Sequence, residues 1–500
     1  MSKKNQLHRT AIVIAFLISL VYFGIFLAPD FVTDSYAVDS QDSVPGRTMI
    51  GNGRVFSAVY EVLTFRVLHL SFAWATRVSA IFAIFNVGMA ILICYRLYRY
   101  LASAHDVNRH ESKVVLFLLA VMTVINPMTT ELFSFFEKAF MTLSVLAAAL
   151  GAERFVRAID GGDKNDYLYS ILLGIVSVMC YQGTYGTYLV LMLFSIAALA
   201  SHKQPARIIK EIVCSLFAYG VALIVDVAIV KLSTIILGTV SRGASGINPI
   251  GTLAVIRNWS EAIAKFFYVV PAWLLPVFSL CLLTGAIIHS ALHHNGKVLV
   301  KFVVGSIAIW VLSYSIAVWL TLGEDYRYIW FAPRIVYPLG MVFGLIGLWY
   351  YLLYSKYAKG GLLELLMIAV MAIELVKFNS LFVGRYKANA IDRYRAEWLT
   401  NQIYTYESKS GHTIKKINFY DDAAPTKVDS GVTDRFEMNF SAFSKEWSDV
   451  HAVSIYSGRY FKRGKSNDNK MSRYCRSHDW STLDSEQVKF SGETMNVCNY

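Results

Sequence analysis

Four acids crowd the stretch that follows the first long apolar run of this chain. The stretch reads "APDFVTDSYAVDSQDSVPGRTMIGNGRVF" over residues 28–56 and holds Asp30, Asp34, Asp39 and Asp42. A carboxylate at the edge of an apolar phase, under aromatic side chains and partly desolvated, can take a proton from a hydroxyl as a general base. Asp34, about six residues beyond the apolar run, has the favoured position for that role. Asp39 and Asp42 are the alternatives. A single loop acid is ordinarily just solvated, so the weight of this cluster depends on what accompanies it.

Two further segments carry charge next to apolar runs. "INPMTTELFSFFEKAFM" contains Glu131, Glu137 and Lys138. Glu137 and Lys138 read either as a pair opening a helix or as the lining of a cavity, with Glu137 as a further candidate catalytic acid. "GEDYRYIWFAPR" contains Asp325, Arg327 and Arg334 among tyrosines and a tryptophan. A forked guanidinium suits phosphate oxygens, so Arg327, Arg334 and Lys138 are the cations available to a phosphate. Snorkelling to lipid headgroups is the plainer use of the same arginines. Asp226 stands alone in the apolar run "VALIVDVAIVK". Lys231, five residues on, lies off its helical face, so Asp226 is expected to form a structural ion pair with another helix. No Gly-rich phosphate loop and no His/Cys/Asp cluster with metal-ligand spacing occurs.

Those residues need elements to hold them, and composition says which. The 500-residue chain is 55% hydrophobic and only 16% charged, where a soluble chain carries about a quarter. Mean hydropathy is +0.45. These values point to an integral membrane protein. The net charge of +12 is accounted for by basic cytoplasmic loops, and no basic-aromatic tract argues for nucleic acid. Runs of about 20 apolar residues fall at roughly 10–28, 75–97, 113–129, 138–154, 166–181, 184–201, 211–236, 271–292, 298–321, 334–354 and 361–378. The expected architecture is an all-α polytopic membrane protein of about eleven transmembrane helices. The first run is too long for a signal-peptide core and reads as a retained anchor. With the N-terminus cytoplasmic, every inner loop contains Lys or Arg, whereas the outer loops are mostly acidic or aromatic. Residues 55–72, apolar on one face but broken by Glu61, Arg66 and His69, read as a helix lying in the interface within the first outer loop.

Residues 1–378 are therefore expected to form the transmembrane domain and 379–500 a small extracytoplasmic α+β domain. "TIKKINFY" and "VHAVSIYS" read as its strands. Outside the cytoplasm, the two lone cysteines of this tail, Cys475 and Cys498, become disulfide candidates.

Taken together, these features resemble the polytopic bacterial glucosyltransferases of the O-antigen-modifying, serotype-conversion type, in the GT-C class. The matching residues are "DSY" at Asp34–Tyr36, "NGR" at Asn52–Arg54, "NPMTTELFSFFEK" from Asn126 to Lys138, Tyr181–Gln182, and the Arg- and Tyr-rich "NSLFVGRYKANAIDRYRAEW" after the last run. The likeness covers most of residues 10–420. Many relatives carry an Asp-Asp pair where this chain has Asp34-Ser35, which leaves the base open among Asp34, Asp39 and Asp42. The resemblance implies transfer of a sugar, usually glucose, from an undecaprenyl-phosphate carrier to a lipid-linked O-antigen or similar cell-surface polysaccharide. The transfer would take place on the periplasmic face of the bacterial inner membrane. It also implies an inverting displacement with one Asp as base, and acceptor or sugar contacts from Tyr36, Arg54, Glu131, Tyr181 and Gln182; Asp325, in the loop with Arg327, is a further candidate for such contacts. No cofactor is implied; assistance by Mg²⁺ or Mn²⁺ stays open. A donor synthase and a flippase would act in the same pathway, and membrane lipids surround the enzyme. Two other classes compete: a lipid-linked sugar flippase or transporter, and an O-antigen polymerase or ligase.

Overall fold

The computed structural model describes residues 3–28, 31–32, 35–36, 49–50, 53–105, 112–237, 271, 273–319, 334–356, 360–421, 440–446, 448–465, 468–480 and 482–499. These residues are mostly helical and divide into two compact units. One comprises Met1–Leu27, Pro45–Phe133 and Glu137–Phe378; the other comprises Ala28–Val44, Ser134–Phe136 and Asn379–Tyr500.

The first unit is built of helices. α1 (Lys3–Phe23) is followed by a short amphipathic α2 (Val55–Val62), then α3 (Phe72–Ala104), α4 (Ser112–Val124) and α5 (Lys138–Gly161). α6 (Lys164–Cys180), α7 (Gln182–Leu199), α8 (Pro205–Leu237), α9 (Leu274–Leu292), α10 (Gly296–Trp319), α11 (Val342–Tyr354) and the start of α12 (Gly360–Ser410) complete it. Among the described residues, seven stretches are long and apolar enough to cross a membrane: Arg9–Leu27, Phe72–Ala104, Lys138–Gly161, Gln182–Leu199, Pro205–Ser233, Leu274–Leu292 and Gly296–Ser315. The other four apolar runs also lie on helices, but α4 and α11 have only 13 residues each. At 1.5 Å per residue that is about 20 Å, short of a hydrocarbon core of about 30 Å. α4 stops at Val124 because Asn126-Pro127 follows, and the residue before a proline disfavours helix.

Burial identifies the centre of this unit. The apolar windows of α3 and α5 are 72% buried and that of α7 is 83% buried, against 28% for α8 and 22% for α10. Without a hydrophobic drive between helices in lipid, small residues and hydroxyls supply the contact. Ser144 of α5 and Ser177 of α6 bond through their hydroxyls at 3.0 Å, and Thr184 of α7 donates to Ser144 at 2.7 Å. Gly174 lies so close to Tyr188 that a Cβ there would meet its ring at 2.9 Å.

The segment expected as an interfacial helix is α2 followed by one π-type turn, Leu63–Val67. Its amphipathy is the reverse of that of a water-facing helix. Val59, Val62, Leu63, Val67 and Leu68 are exposed, whereas Glu61 is buried. Ser71 then caps α3 by accepting from the Trp74 amide.

The second unit packs the C-terminal part of α12 with a four-stranded sheet: β1 (Lys416–Asp421), β2 (Lys462–Arg463), β3 (Val488–Ser491) and β4 (Thr494–Asn499), in the order β2-β1-β4-β3. β1 pairs in parallel with β2 and β4, and β3 runs antiparallel to β4. Flanked on both edges, β1 buries Ile417 to Tyr420 without alternation. The stretch "VHAVSIYS", expected as a strand, is instead a helix, α13 (Asp449–Ser457). Its buried Val450 and Val453 follow a three-residue spacing that fits a helix face, and left-handed Gly458 (φ 68°) closes it. α14 (Asn469–Arg476) follows, capped by Asp468.

Several buried or half-buried polar groups in this unit are paired. Asp392 of α12 accepts from the Ser441 hydroxyl (2.5 Å) and the Ala442 amide (2.9 Å). Glu407 receives two parallel bonds from Arg459, each 2.8 Å. Asn389 exchanges hydrogen bonds with both backbone groups of Phe31.

Candidate active site

The turn before α2 sets the first candidate side chain. The Gly53 amide donates to the Ile50 carbonyl and the Arg54 amide to the Met49 carbonyl, each at 2.9 Å. Those are the two bonds of a Schellman closure, whose C′ residue must be left-handed; Gly53 has φ 75°. The closure sends Arg54 inward. Its Nη1 donates to the Glu137 carboxylate, and its guanidinium lies 4.7 Å from the centroid of the Tyr181 ring. Glu137 occupies the N-cap position of α5 but makes no side-chain capping bond, its carboxylate being given to Arg54.

The loop after α4 sets the second pair. Asn126 accepts from the Met128 amide at 2.9 Å, an Asx turn that folds the chain back, and a helical turn at Thr129–Leu132 follows. Glu131 on that turn is 1% exposed. It takes the Arg334 guanidinium at 2.9 Å and the Arg334 backbone amide at 2.7 Å. A buried carboxylate that accepts both backbone and side chain of one residue fixes that residue in place as well as in charge. Lys138, fully buried, holds its ammonium 5.0 Å from the centroid of the Phe26 ring. Burial of an amine is costly unless partners compensate, and the aromatic face is one of them.

Tyr181 and Gln182 form the joint between α6 and α7. Tyr181 is extended (φ −164°, ψ 114°), and Gln182 is the first residue of α7. The Tyr181 carbonyl accepts from the Ser144 hydroxyl at 3.0 Å. Gln182 Nε2 donates to Asp226 Oδ2 at 2.8 Å. The expected ion pair for Asp226 is thus corrected: its observed partner is a carboxamide, and Lys231 is exposed. Gly183 lies against the Arg334 carbonyl, where a Cβ would come within 2.8 Å.

Six residues proposed from the sequence therefore gather in the first unit: Arg54, Glu131, Glu137, Tyr181, Gln182 and Arg334. Lys138 adjoins Glu137 in the chain. Asp34, Asp39, Asp42, Asp325 and Arg327 lie outside the described residues, as does Asn52. Tyr36 belongs to the second unit. It is fully buried, stacked on Phe31 at 5.3 Å, with its hydroxyl 3.2 Å from that of Tyr456. Cys475 and Cys498 form a disulfide between α14 and β4. Among the described residues, no group of three His, Cys, Asp or Glu side chains could hold a metal ion.

Sequence reasoning missed Asp226 as a member of this cluster. Its signal, a lone acid in an apolar run, was visible. The partner was not, because a Gln at a helix start announces nothing about an acid 44 positions away.

A family model described as glucosyl transferase GtrII matches residues 24–346, which include every described member of the cluster. No curated protein matches the chain.

Proposed function

From the premise that the chain belongs to the glucosyl transferase GtrII family, a family of glycosyltransferases, we propose that it transfers glucose from undecaprenyl phosphate to a lipid-linked O-antigen. The reaction takes place on the periplasmic face of the bacterial inner membrane. Its spans number eleven in a GT-C arrangement, with the N-terminus cytoplasmic and the second unit periplasmic. A donor synthase and a flippase supply the substrate. The exposed apolar side of α2 supports an interfacial position for that helix.

The observation that carries this reading is the gathering of residues from four separate segments, 53–54, 131–138, 181–182 and 334, into one buried, charge-paired cluster. Nothing in the packing of a purely structural bundle calls for two arginine–carboxylate pairs here, since breaking even is the usual outcome for such pairs.

In the proposed chemistry, the acceptor hydroxyl oxygen forms a bond to the anomeric carbon as the bond from that carbon to the phosphate oxygen breaks. Asp34 takes the hydroxyl proton, with Asp39 and Asp42 as alternatives. The electron pair leaves with polyprenyl phosphate, a good leaving group, so one displacement inverts the centre. Arg327, Arg334 and Lys138 supply positive charge toward the phosphate. Arg54, Glu131, Glu137, Tyr181, Gln182 and Asp325 shape the acceptor and sugar side. No cofactor is required, although Mg²⁺ or Mn²⁺ assistance is compatible with the scheme.

The test uses the purified full chain in detergent with radiolabelled polyprenyl-phosphoglucose and an acceptor glycolipid. Transfer is expected without any membrane gradient, and Asp34→Asn should abolish it while the protein stays folded. Absence of transfer by the unaltered protein would overturn the reading.

A further inference from the structure

The Asp226 carboxylate is an expensive group to keep where it is. It is 5% exposed and lies in the apolar stretch of α8 between Glu211 and Lys231. One oxygen accepts from Gln182; the other, Oδ1, is buried and has no hydrogen-bond partner among the described residues. A buried acceptor left unsatisfied costs free energy, so its retention calls for a reason beyond packing.

The geometry around Gly53 supplies one. A Cβ built at Gly53 would stand 2.1 Å from Gln182 Nε2, 2.8 Å from Asp226 Oδ1 and 3.1 Å from Val230 Cγ2. The left-handed residue that closes the turn is therefore seated directly on the Gln182–Asp226 pair. The next residue, Arg54, reaches Glu137 and lies over Tyr181, the neighbour of Gln182. One short path runs from Asp226 through the Gln182 amide to the Gly53 turn, and from there to the guanidinium.

We infer that Asp226 is a positioning residue of the active site: it orients the Gln182 carboxamide as the seat of the Gly53 turn and so sets the direction of Arg54. The inference rests on the glucosyltransferase reading for its catalytic consequence, but the clamp itself can be read separately. Asp226 acts through a hydrogen bond that it accepts, and Gln182 is the intermediary. An asparagine at 226 keeps an accepting oxygen in the same place, whereas an alanine leaves the Gln182 amide without its partner.

The experiment compares Asp226→Ala, Asp226→Asn, Gln182→Ala and the double alanine variant in the detergent assay, alongside limited trypsin cleavage after Arg54. Asp226→Ala is expected to lower kcat more than tenfold with KM for the lipid donor changed less than threefold, and to speed cleavage at Arg54. Asp226→Asn should stay within threefold of the unaltered protein in both readouts. The double variant should be no worse than Asp226→Ala alone, because both changes break one path. Full activity of Asp226→Ala, additive losses in the double variant, or an Asp226→Asn defect equal to that of alanine would each overturn the inference. If the unaltered protein transfers no sugar, the function reading fails; the cleavage rates then still decide the clamp, and unchanged rates in Asp226→Ala reject it.

Discussion

Arg54 and Glu137 are 83 positions apart in the chain, yet their side chains close an ion pair beside the ring of Tyr181. The Glu137 side chain is 3% exposed and that of Arg54 22%. The pair ties the turn before α2 to the start of α5. Removing one partner of a buried pair leaves the other charge uncompensated, at a cost of about 3–5 kcal/mol. Glu137→Ala should therefore lower transfer activity at least tenfold. The Arg54→Ala/Glu137→Ala double variant should lose clearly less than the two single losses combined. Kinetics of the four proteins measure this coupling, and simple additivity would contradict it.

Arg334 and Glu131 form a deeper pair, with side chains 4% and 1% exposed. Here the expected effect is on folding before activity. Glu131→Ala should reduce the thermal midpoint in detergent far more than Glu137→Ala, since the Arg334 guanidinium and amide both lose their acceptor. Replacing both residues by apolar ones of similar size should recover much of the loss. A midpoint unchanged in Glu131→Ala would show that the pair contributes nothing.

The extent to which the site could be read from the sequence follows from where its partners lie. Apolar runs announce helices because their signal is local, and each of the eleven expected runs overlaps a helix among the described residues. Arg54, Glu131, Glu137 and Arg334 stood out as charges beside those runs. Which acid meets which arginine was hidden, because the pairs span 83 positions for Arg54 and 203 for Arg334. The strand expected at "VHAVSIYS" failed for another reason. Val, Ile and Tyr favour strands locally, but burial of Val450 and Val453 on one face selects a helix. The joining of Tyr36 to the core of the second unit had no local signal at all.

The disulfide gives a prediction of its own. Cys475 and Cys498 are 23 residues apart. Closing a loop of about that size stabilises a fold by about 3 kcal/mol. Cys475→Ser/Cys498→Ser should lower the melting point of the second unit by on the order of 10 °C, followed by tryptophan fluorescence. Alkylation of the denatured chain without reductant should spare both cysteines, and both should be labelled once reductant is added. Labelling of Cys475 or Cys498 without reductant would show that the bond is not formed.

Two buried acids make the second unit sensitive to pH. Burial pushes Asp449 up to about 7, against the opposing pull of Arg463, with Glu446 adding to the rise. Burial likewise pushes Asp392 up to about 6, against Ser441, the Ala442 amide, Arg385 and Arg395. Each folded value lies above the ordinary 3.8, so between these limits the folded state holds protons that the unfolded chain has released. The contribution of these two acids to stability is thus greatest near pH 4 and is lost as pH rises through 6 and 7. Melting of the second unit across pH 4.5–8 should show that decline, and Asp449→Asn should flatten it. A melting point that climbs over the same interval would contradict the assignment.

The strand order β2-β1-β4-β3 also has a consequence for biosynthesis. β4 is the last of the four strands to be made, yet it is the one that joins β1 to β3. β1 therefore emerges from the ribosome long before the neighbour that covers its inner edge, and 78 positions separate their paired asparagines, Asn418 and Asn496. Until residues 494–499 arrive, the Ile417–Tyr420 segment, buried in the finished sheet, has at most a two-residue strand beside it. The second unit must therefore complete its sheet after synthesis has passed residue 499, and a chain stalled earlier would present an unpaired, aggregation-prone edge.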